Sequence, residues 1–346
     1  MPKKDEILLV AVDDGYAQTK LYGDKPNNNE INSEKKSTSG NVKYNKFIMR
    51  SAARPGRFGL VSLNGEGDIG TYNTIEEEWT VSEQIESEST QYDGFHTSSM
   101  NRVLVNHALV SAGYGGKKIK LITGLPVEDF FFNGKKNLEK IEAKKKNLLK
   151  SVSTNMNGII MPEICEVEIG CQALSAFVDY YLDDNLKEKD VPIEKVAIVD
   201  IGGRTTDIAL IIDGQKFDPS RSGTSNVGVL DVYNTLSDLI KTEFKIRDKY
   251  PLSFLNEALR NKKIKIWGKQ EDISKLVDEA INEQKNKIAR EIERKLGGAS
   301  DLDKVIFVGG GSVLFGLDTM FPNGYQPEDS EFSNARGLYK YSKYFG

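Results

Sequence analysis

Apolar residues gather in this chain as short unbroken runs that stop at glycine. Three of these runs frame the sequence: LLVAVDDGYAQTK at 8–20, KVAIVDIGGRTTDIALII at 195–212 and KVIFVGGGSVLFG at 304–316. Their length, their Val and Ile content and the turn residues that bound them predict strands buried on both faces. IKLITGLPV at 119–127 reads as another buried strand. Apolar positions at helical spacing take over at 98–113, with Gly113 as the stop, and again at about 229–243. Val277, Ile281, Ile288, Ile292 and Leu296 recur at multiples of about four with charge elsewhere, the pattern of an amphipathic helix laid on a body. IMPEICEVEIGCQALSAFVDYYL at 160–182 passes from an extended IIMPE step into a long helix of small and apolar residues. Polar stretches at 24–46 and 219–228 interrupt the plan, so each half of the chain reads as a strand hairpin, an interruption and then helix.

A strand that breaks at glycine leaves several backbone N–H groups pointing into one space, and such a nest attracts anionic oxygen. Three nests suggest one polyphosphate site. Neither G-x-x-x-x-G-K-[ST] nor G-x-G-x-x-G stands at a strand-to-helix turn, which sets aside the P-loop and the dinucleotide fold. The first hairpin instead carries Asp13-Asp14-Gly15 and the second Asp200-Ile201-Gly202-Gly203. Two such hairpins facing each other could grip a nucleoside triphosphate and its Mg²⁺, with the metal held through carboxylates, water and phosphate oxygens.

Composition narrows the partners. At 346 residues the chain has room for two domains, and its 47 basic and 51 acidic residues leave a net charge of −4, so no overall basic field favours nucleic acid. No apolar run approaches the ~18–20 residues of a membrane helix, and the start of the chain lacks a signal-peptide pattern, which predicts a cytoplasmic protein. The tail GLYKYSKYFG at 337–346 is too short and broken for a membrane anchor. Cys165, Cys171, His96 and His107 are too few for a structural zinc site, and the cysteines read as core thiols. The lysine-dense stretch 134–150 reads as a solvated helix face.

VAVDDGYAQTKLY, LITGLPVEDFF, IMPE, IVDIGGRTTDIAL and VIFVGGGSVLFG, in that order, resemble the actin, 70-kDa heat-shock chaperone and sugar-kinase superfamily, and within it the ParM (StbA) plasmid-segregation actins. The resemblance implies an α/β actin-like fold: two related domains, each a mixed five-stranded sheet with helices on a ribonuclease H-like core, each carrying a smaller inserted subdomain. The division it implies places domain I at 1–185 (core 1–23 and about 94–185, insertion about 24–93) and domain II at 186–316 (core 186–228 and about 271–316, insertion about 229–270), with 317–346 returning to domain I. It also implies ATP or ADP as ligand, with GTP as the alternative, and Mg. Asp13 and Asp200 match the family's metal-side carboxylates. Gly15, Tyr16, Ala17 and Lys20, then Gly202, Gly203, Arg204 and Thr205, match its two phosphate loops, and Gly309, Gly310, Gly311 and Ser312 its adenosine loop. Glu163, in the MPE step, matches the residue that orients the attacking water. Asp207 belongs to the second motif, in a structural or a catalytic role. Two positions depart from the pattern. Tyr16 stands where the family often has Ser, whose hydroxyl can touch the terminal phosphate, so only its backbone is expected to serve. Arg204 replaces a smaller residue, and its guanidinium is open to either phosphates or solvent.

The resemblance thus implies an ATPase that polymerises head to tail into helical filaments. By the same resemblance these filaments are expected to segregate plasmid DNA through a ParR-type DNA-binding adaptor on a centromere-like repeat, without direct DNA or membrane contact. The alternative within the superfamily is a small-molecule kinase acting on a sugar or carboxylate, although no acidic acceptor motif is found in 47–130. A chaperone would continue into a substrate-binding domain after the third loop, and only a short segment follows Gly316 here.

Overall fold

The first apolar run forms β1 (Ile7–Asp14), turns at Gly15 into β2 (Gln18–Asp24), and is followed by β3 (Tyr44–Arg50). A small three-stranded sheet comes next, from β4 (Ala53–Pro55), β5 (Gly70–Asn73) and β6 (Glu78–Val81). Then come α1 (Ser99–Ser111), β7 (Lys118–Leu125), the short α2 (Val127–Phe130), a ladder of β8 (Phe131–Phe132) with β9 (Lys135–Lys136), α3 (Leu138–Leu148), β10 (Glu163–Cys171) and α4 (Gln172–Tyr181). Five strands make a mixed sheet in the order β10-β7-β1-β2-β3, the base of lobe I. The computed structural model describes residues 6–26, 44–58, 70–83, 86–247 and 250–346, and most of the polar insertion expected at 24–46 lies outside them.

Lobe II repeats the plan. It runs through β11 (Lys195–Ile201), β12 (Thr206–Ile212), β13 (Lys216–Ser225), α5 (Val229–Phe244) and α6 (Leu252–Asn261), then a hairpin of β14 (Lys263–Ile266) and β15 (Lys269–Asp272). After it follow α7 (Ser274–Leu296), β16 (Lys304–Val308), α8 (Gly310–Phe315), β17 (Gly324–Tyr325) and finally α9 (Ser333–Phe345). Its sheet order is β13-β12-β11-β16-β17. In both sheets the central strand, β1 or β11, pairs antiparallel with its hairpin partner and parallel with the strand on its other side. The expected pair of mixed five-stranded sheets is therefore present.

Unbroken apolar runs follow from burial on both faces. Leu8, Val10 and Val12 pack with Val105 and Leu109 of α1, while Leu9 and Ala11 pack with Ala335 and Leu338 of α9. Val196 and Ile198 likewise face Ala173 and Phe177 of α4, whereas Ala197 and Val199 join α5 and α7. Side chains alternate with the pleat, so α4 and α9 form a middle layer between the two sheets. The amphipathic segment expected at 276–296 is α7, with Val277, Ile288, Ile292 and Leu296 buried.

Three expectations need correction. The long helix expected within 160–182 starts only at Gln172, because the residues before it form β10, an edge strand whose solvent side carries Glu163 and Glu166 and whose register shifts between Ile164 and Glu166. Most of the polar stretch 219–228 is strand β13. The lysine-dense helix face is solvated except at Lys144, which is fully buried. Among the described residues no helix is long and apolar enough to cross a membrane.

Candidate functional site

A cleft of about 570 Å³ separates the lobes. Asp13, Gly15, Ala17 and Lys20 line it on one side, and Asp200, Gly202, Gly203 and Thr205 on the other. The two turns touch. A Cβ added at Gly203 would sit 2.6 Å from the Ala17 backbone nitrogen, so only glycine lets the second turn lie on the first. The third loop closes in behind them. Gly309 adopts φ +83°, and a side chain there would run into the Asp200 carboxylate. Gly311 packs on Ile201 in the same way, and Gly310 lines the cleft itself.

Both hairpins present acids to the space between them, Asp13 from the first and Asp200 with Asp207 from the second. Asp13 lies opposite Lys20 in the β1/β2 register, with 3.5 Å between Oδ2 and Nζ, and its Oδ1 accepts from Gln172 Nε2 at 3.1 Å. Burial nonetheless outweighs the lysine and raises the Asp13 pKa. Asp200 lies opposite Asp207 in the β11/β12 register, and its Oδ2 accepts from Asn334 Nδ2 of α9 at 2.7 Å. Burial, then the charges of Asp13 and Asp207, push Asp200 up to about 7. Burial also lifts Asp207, to about 6, against hydrogen bonds from Thr224, the Val127 amide and Thr205. Carboxyl groups held this far above their ordinary range mark uncompensated negative charge, which a cation would relieve. Among the described residues no three His, Cys, Asp or Glu side chains are grouped to hold a metal by themselves. An acid on each side of a phosphate-sized space does suit Mg²⁺, which takes one or two carboxylates and draws its remaining ligands from phosphate and water.

Beneath the first hairpin lies a second, fully buried charge cluster. Asp14 accepts from Asn101 Nδ2 at 2.6 Å, from Lys144 Nζ at 2.8 Å and from the Thr123 hydroxyl, while His96 Nδ1 stands 3.5 Å away. Burial opposes the charge, but Lys144 and His96 prevail and hold the Asp14 pKa far below the usual carboxylate range. Asp14 is thus spoken for and braces the turn from below.

Several residues named from the sequence are placed elsewhere. Glu163 opens β10 opposite Lys118, which itself pairs with Ile7, so it sits at the far end of the sheet from Asp13, roughly 20 Å along the strands. It is exposed and does not line the cleft. The MPE step that carries the resemblance opens β10, and the helix expected just after it begins only at Gln172. At the other end of the same strand Gln172 lines the cleft beside Asp13. Ser312 keeps its hydroxyl inside the loop, donating to Gly309 O at 2.8 Å and meeting Ser330 Oγ at 2.9 Å. Arg204 turns away from the phosphate space to an ion pair with the exposed Asp93, Nη2 to Oδ1 at 2.6 Å. Gln172 and Asn334 went unnoticed in the sequence. For Gln172 the available signal was its place at the strand-to-helix junction after Gly170-Cys171, level with the end of β1.

Residues 8–179 match the family model for the N-terminal part of the plasmid segregation protein ParM. Residues 198–319 match that for the C-terminal part of the archaeal actin homologue MreB-like. No curated protein matches the sequence. Among solved structures, a non-polymerisable quadruple mutant of the pCBH ParM is 20% identical, with 98% of this chain and 99% of that one covered at a TM-score of 0.73. An archaeal actin homologue is 22% identical over 97% and 99% of the two chains at 0.72, and it has also been solved in complex with ADP. A ParM from a 15-stranded Clostridium botulinum filament is 19% identical over 98% and 99%, also at 0.72.

Proposed function

Because the chain belongs to the actin-like proteins, with a first half of the ParM (StbA) type and a second half of the archaeal MreB-like type, we propose that it is a nucleoside triphosphatase that assembles into filaments and segregates plasmid DNA. The observation that carries this reading is the pair of touching hairpins with an acid from each lobe at one cleft. Amides of residues 15–17 and 202–205 would hold the phosphates of ATP, or of GTP, and Lys20 would pair with a phosphate oxygen once it shares Asp13. Asp13 and Asp200 would hold magnesium, which when bound neutralises charge on the phosphates and on these acids. Gln172, rather than Glu163, would orient a water toward the terminal phosphate, a reading supported by its carboxamide reaching the metal-side acid Asp13.

Filament growth follows the relatives. Nucleotide held between the lobes ties both to one ligand, and head-to-tail contacts between identical subunits extend without closing. DNA would be reached through a ParR-type adaptor on a centromere-like repeat in the cytoplasm, in keeping with a net charge of −4. Light scattering and phosphate release, followed together with Mg²⁺ and ATP, GTP or a slowly hydrolysed analogue, test the reading. Triphosphate-dependent scattering with phosphate release is expected, and the absence of both with every nucleotide overturns it.

A further inference from the structure

The two positions that depart from the family pattern meet each other across the cleft. The Arg204 guanidinium, on the turn between β11 and β12, stands 5.3 Å from the centroid of the Tyr16 ring, on the turn between β1 and β2. Its Nη2 also donates to Asp93 Oδ1 at 2.6 Å. Lobe I holds the receiving surface firmly. Thr90 Oγ1 donates to Tyr16 O at 2.6 Å, and the rings of Phe95 and His96 pack on Tyr16 at 5.1 and 4.9 Å. One arginine of lobe II therefore docks on an aromatic face held by lobe I and pairs with an exposed carboxylate beside it. Above it Leu230 of α5 is buried in the same apolar cluster as Tyr16 and Phe95.

We propose that Arg204 is a positioning residue that latches the second hairpin onto the first through Tyr16 and Asp93, so that the cleft closes whether or not a terminal phosphate is present. A ligand moves a two-state equilibrium only by its differential affinity for the two states. Where a small hydroxyl on the first turn senses the terminal phosphate, closure depends on that phosphate. Here the Tyr16 side chain is buried and engaged, and the protein supplies the cation that bridges the turns. Loss of the phosphate after hydrolysis removes no part of this bridge, so the diphosphate-bound subunit stays closed.

The proposal rests on the nucleotide reading only for its ligand-bound states, and energy transfer between the lobes separates the two. One dye is placed on exposed Cys165 of lobe I and one on Trp267→Cys at the exposed tip between β14 and β15 of lobe II, below the concentration for assembly. With Arg204 intact the distance is expected to be the same without nucleotide, with Mg-ADP and with a slowly hydrolysed triphosphate. Arg204→Ala should lower the closed-to-open ratio about tenfold in the first two states, and the triphosphate should restore closure. Asp93→Asn, at an exposed carboxylate whose loss threatens no core, should shift the ratio in the same direction by about threefold. An unchanged distance in both variants without nucleotide overturns the latch. If no nucleotide binds any form, the functional reading fails while the nucleotide-free comparison still decides the latch.

Discussion

Across β1 and β2 the acid Asp13 faces Lys20 in register, whereas across β11 and β12 the matching acid Asp200 faces Asp207. The residue after each acid differs too: Asp14 is sunk in a cluster with Lys144, Asn101 and Thr123, while Ile201 packs in the lobe II core. Two hairpins of one design thus carry opposite electrostatics. Lobe I sets a lysine of its own against each of its two acids, Lys20 against Asp13 and Lys144 against Asp14. Lobe II stacks acid on acid at the cleft and holds Asp200 at about 7, so it gains most when a cation arrives. The repeated fold sets where the charges stand, and the cross-strand partner decides whether a turn is a brace or a receptor.

Removing a cation from the self-sufficient side should give the largest effect. Lys144→Met leaves Asp14 buried and unpaired and is expected to cost ~3–5 kcal/mol in urea unfolding, most of it recovered when Asp14→Asn is added. Nucleotide should not substitute for it.

On the other side the sign reverses. Because the Asp200 pKa is raised on folding, its contribution to stability is present below the ordinary carboxylate range near 4 and is lost as the pH rises through about 7. The unliganded protein should therefore lose roughly 4 kcal/mol between pH 4 and pH 8 from this group. Asp200→Asn should remove this part of the slope, leaving the share that comes from Asp207, and stabilise the unliganded protein at pH 8, while weakening Mg-nucleotide binding by about a hundredfold or more. Urea titrations across this pH range, with calorimetric binding, check both arms, and a parallel pH slope in the variant would break the comparison.

The smallest effects sharpen the site. Gln172→Ala should slow phosphate release about 10²-fold with assembly retained. Glu163→Ala should leave it unchanged, and a loss comparable to that of Gln172→Ala would return the catalytic role to the far end of β10.

The hairpins were legible because short apolar runs ending at Asp and Gly have a local cause, and so was α7, where twenty-three residues keep one face apolar. What escaped notice depends on pairing. Lys144 looks like its lysine neighbours until α3 is laid over the Asp14 turn. Gln172 carries no mark until β10 is paired with β7 and brings it level with Asp13. Glu163 matches the family's water-orienting acid along the sequence alone, and only the pairing of β10 with β7 shows that the MPE step opens the far end of the strand. Tyr16 and Arg204 were each visible as departures, but nothing in a linear chain says that two departures are partners.

The apolar cluster shared by the lobes joins Leu125, Val127 and Phe177 to Val196, Ile211 and Ile306. Apolar contact of this kind is not directional, so a rigid-body turn of one lobe on the other can exchange one close-packed arrangement for another there. Such a seam works as a bearing. The polar contacts at the rim, by contrast, hold at one setting only, and so the resting angle of this molecule is chosen at its lip while its freedom to turn resides in its middle.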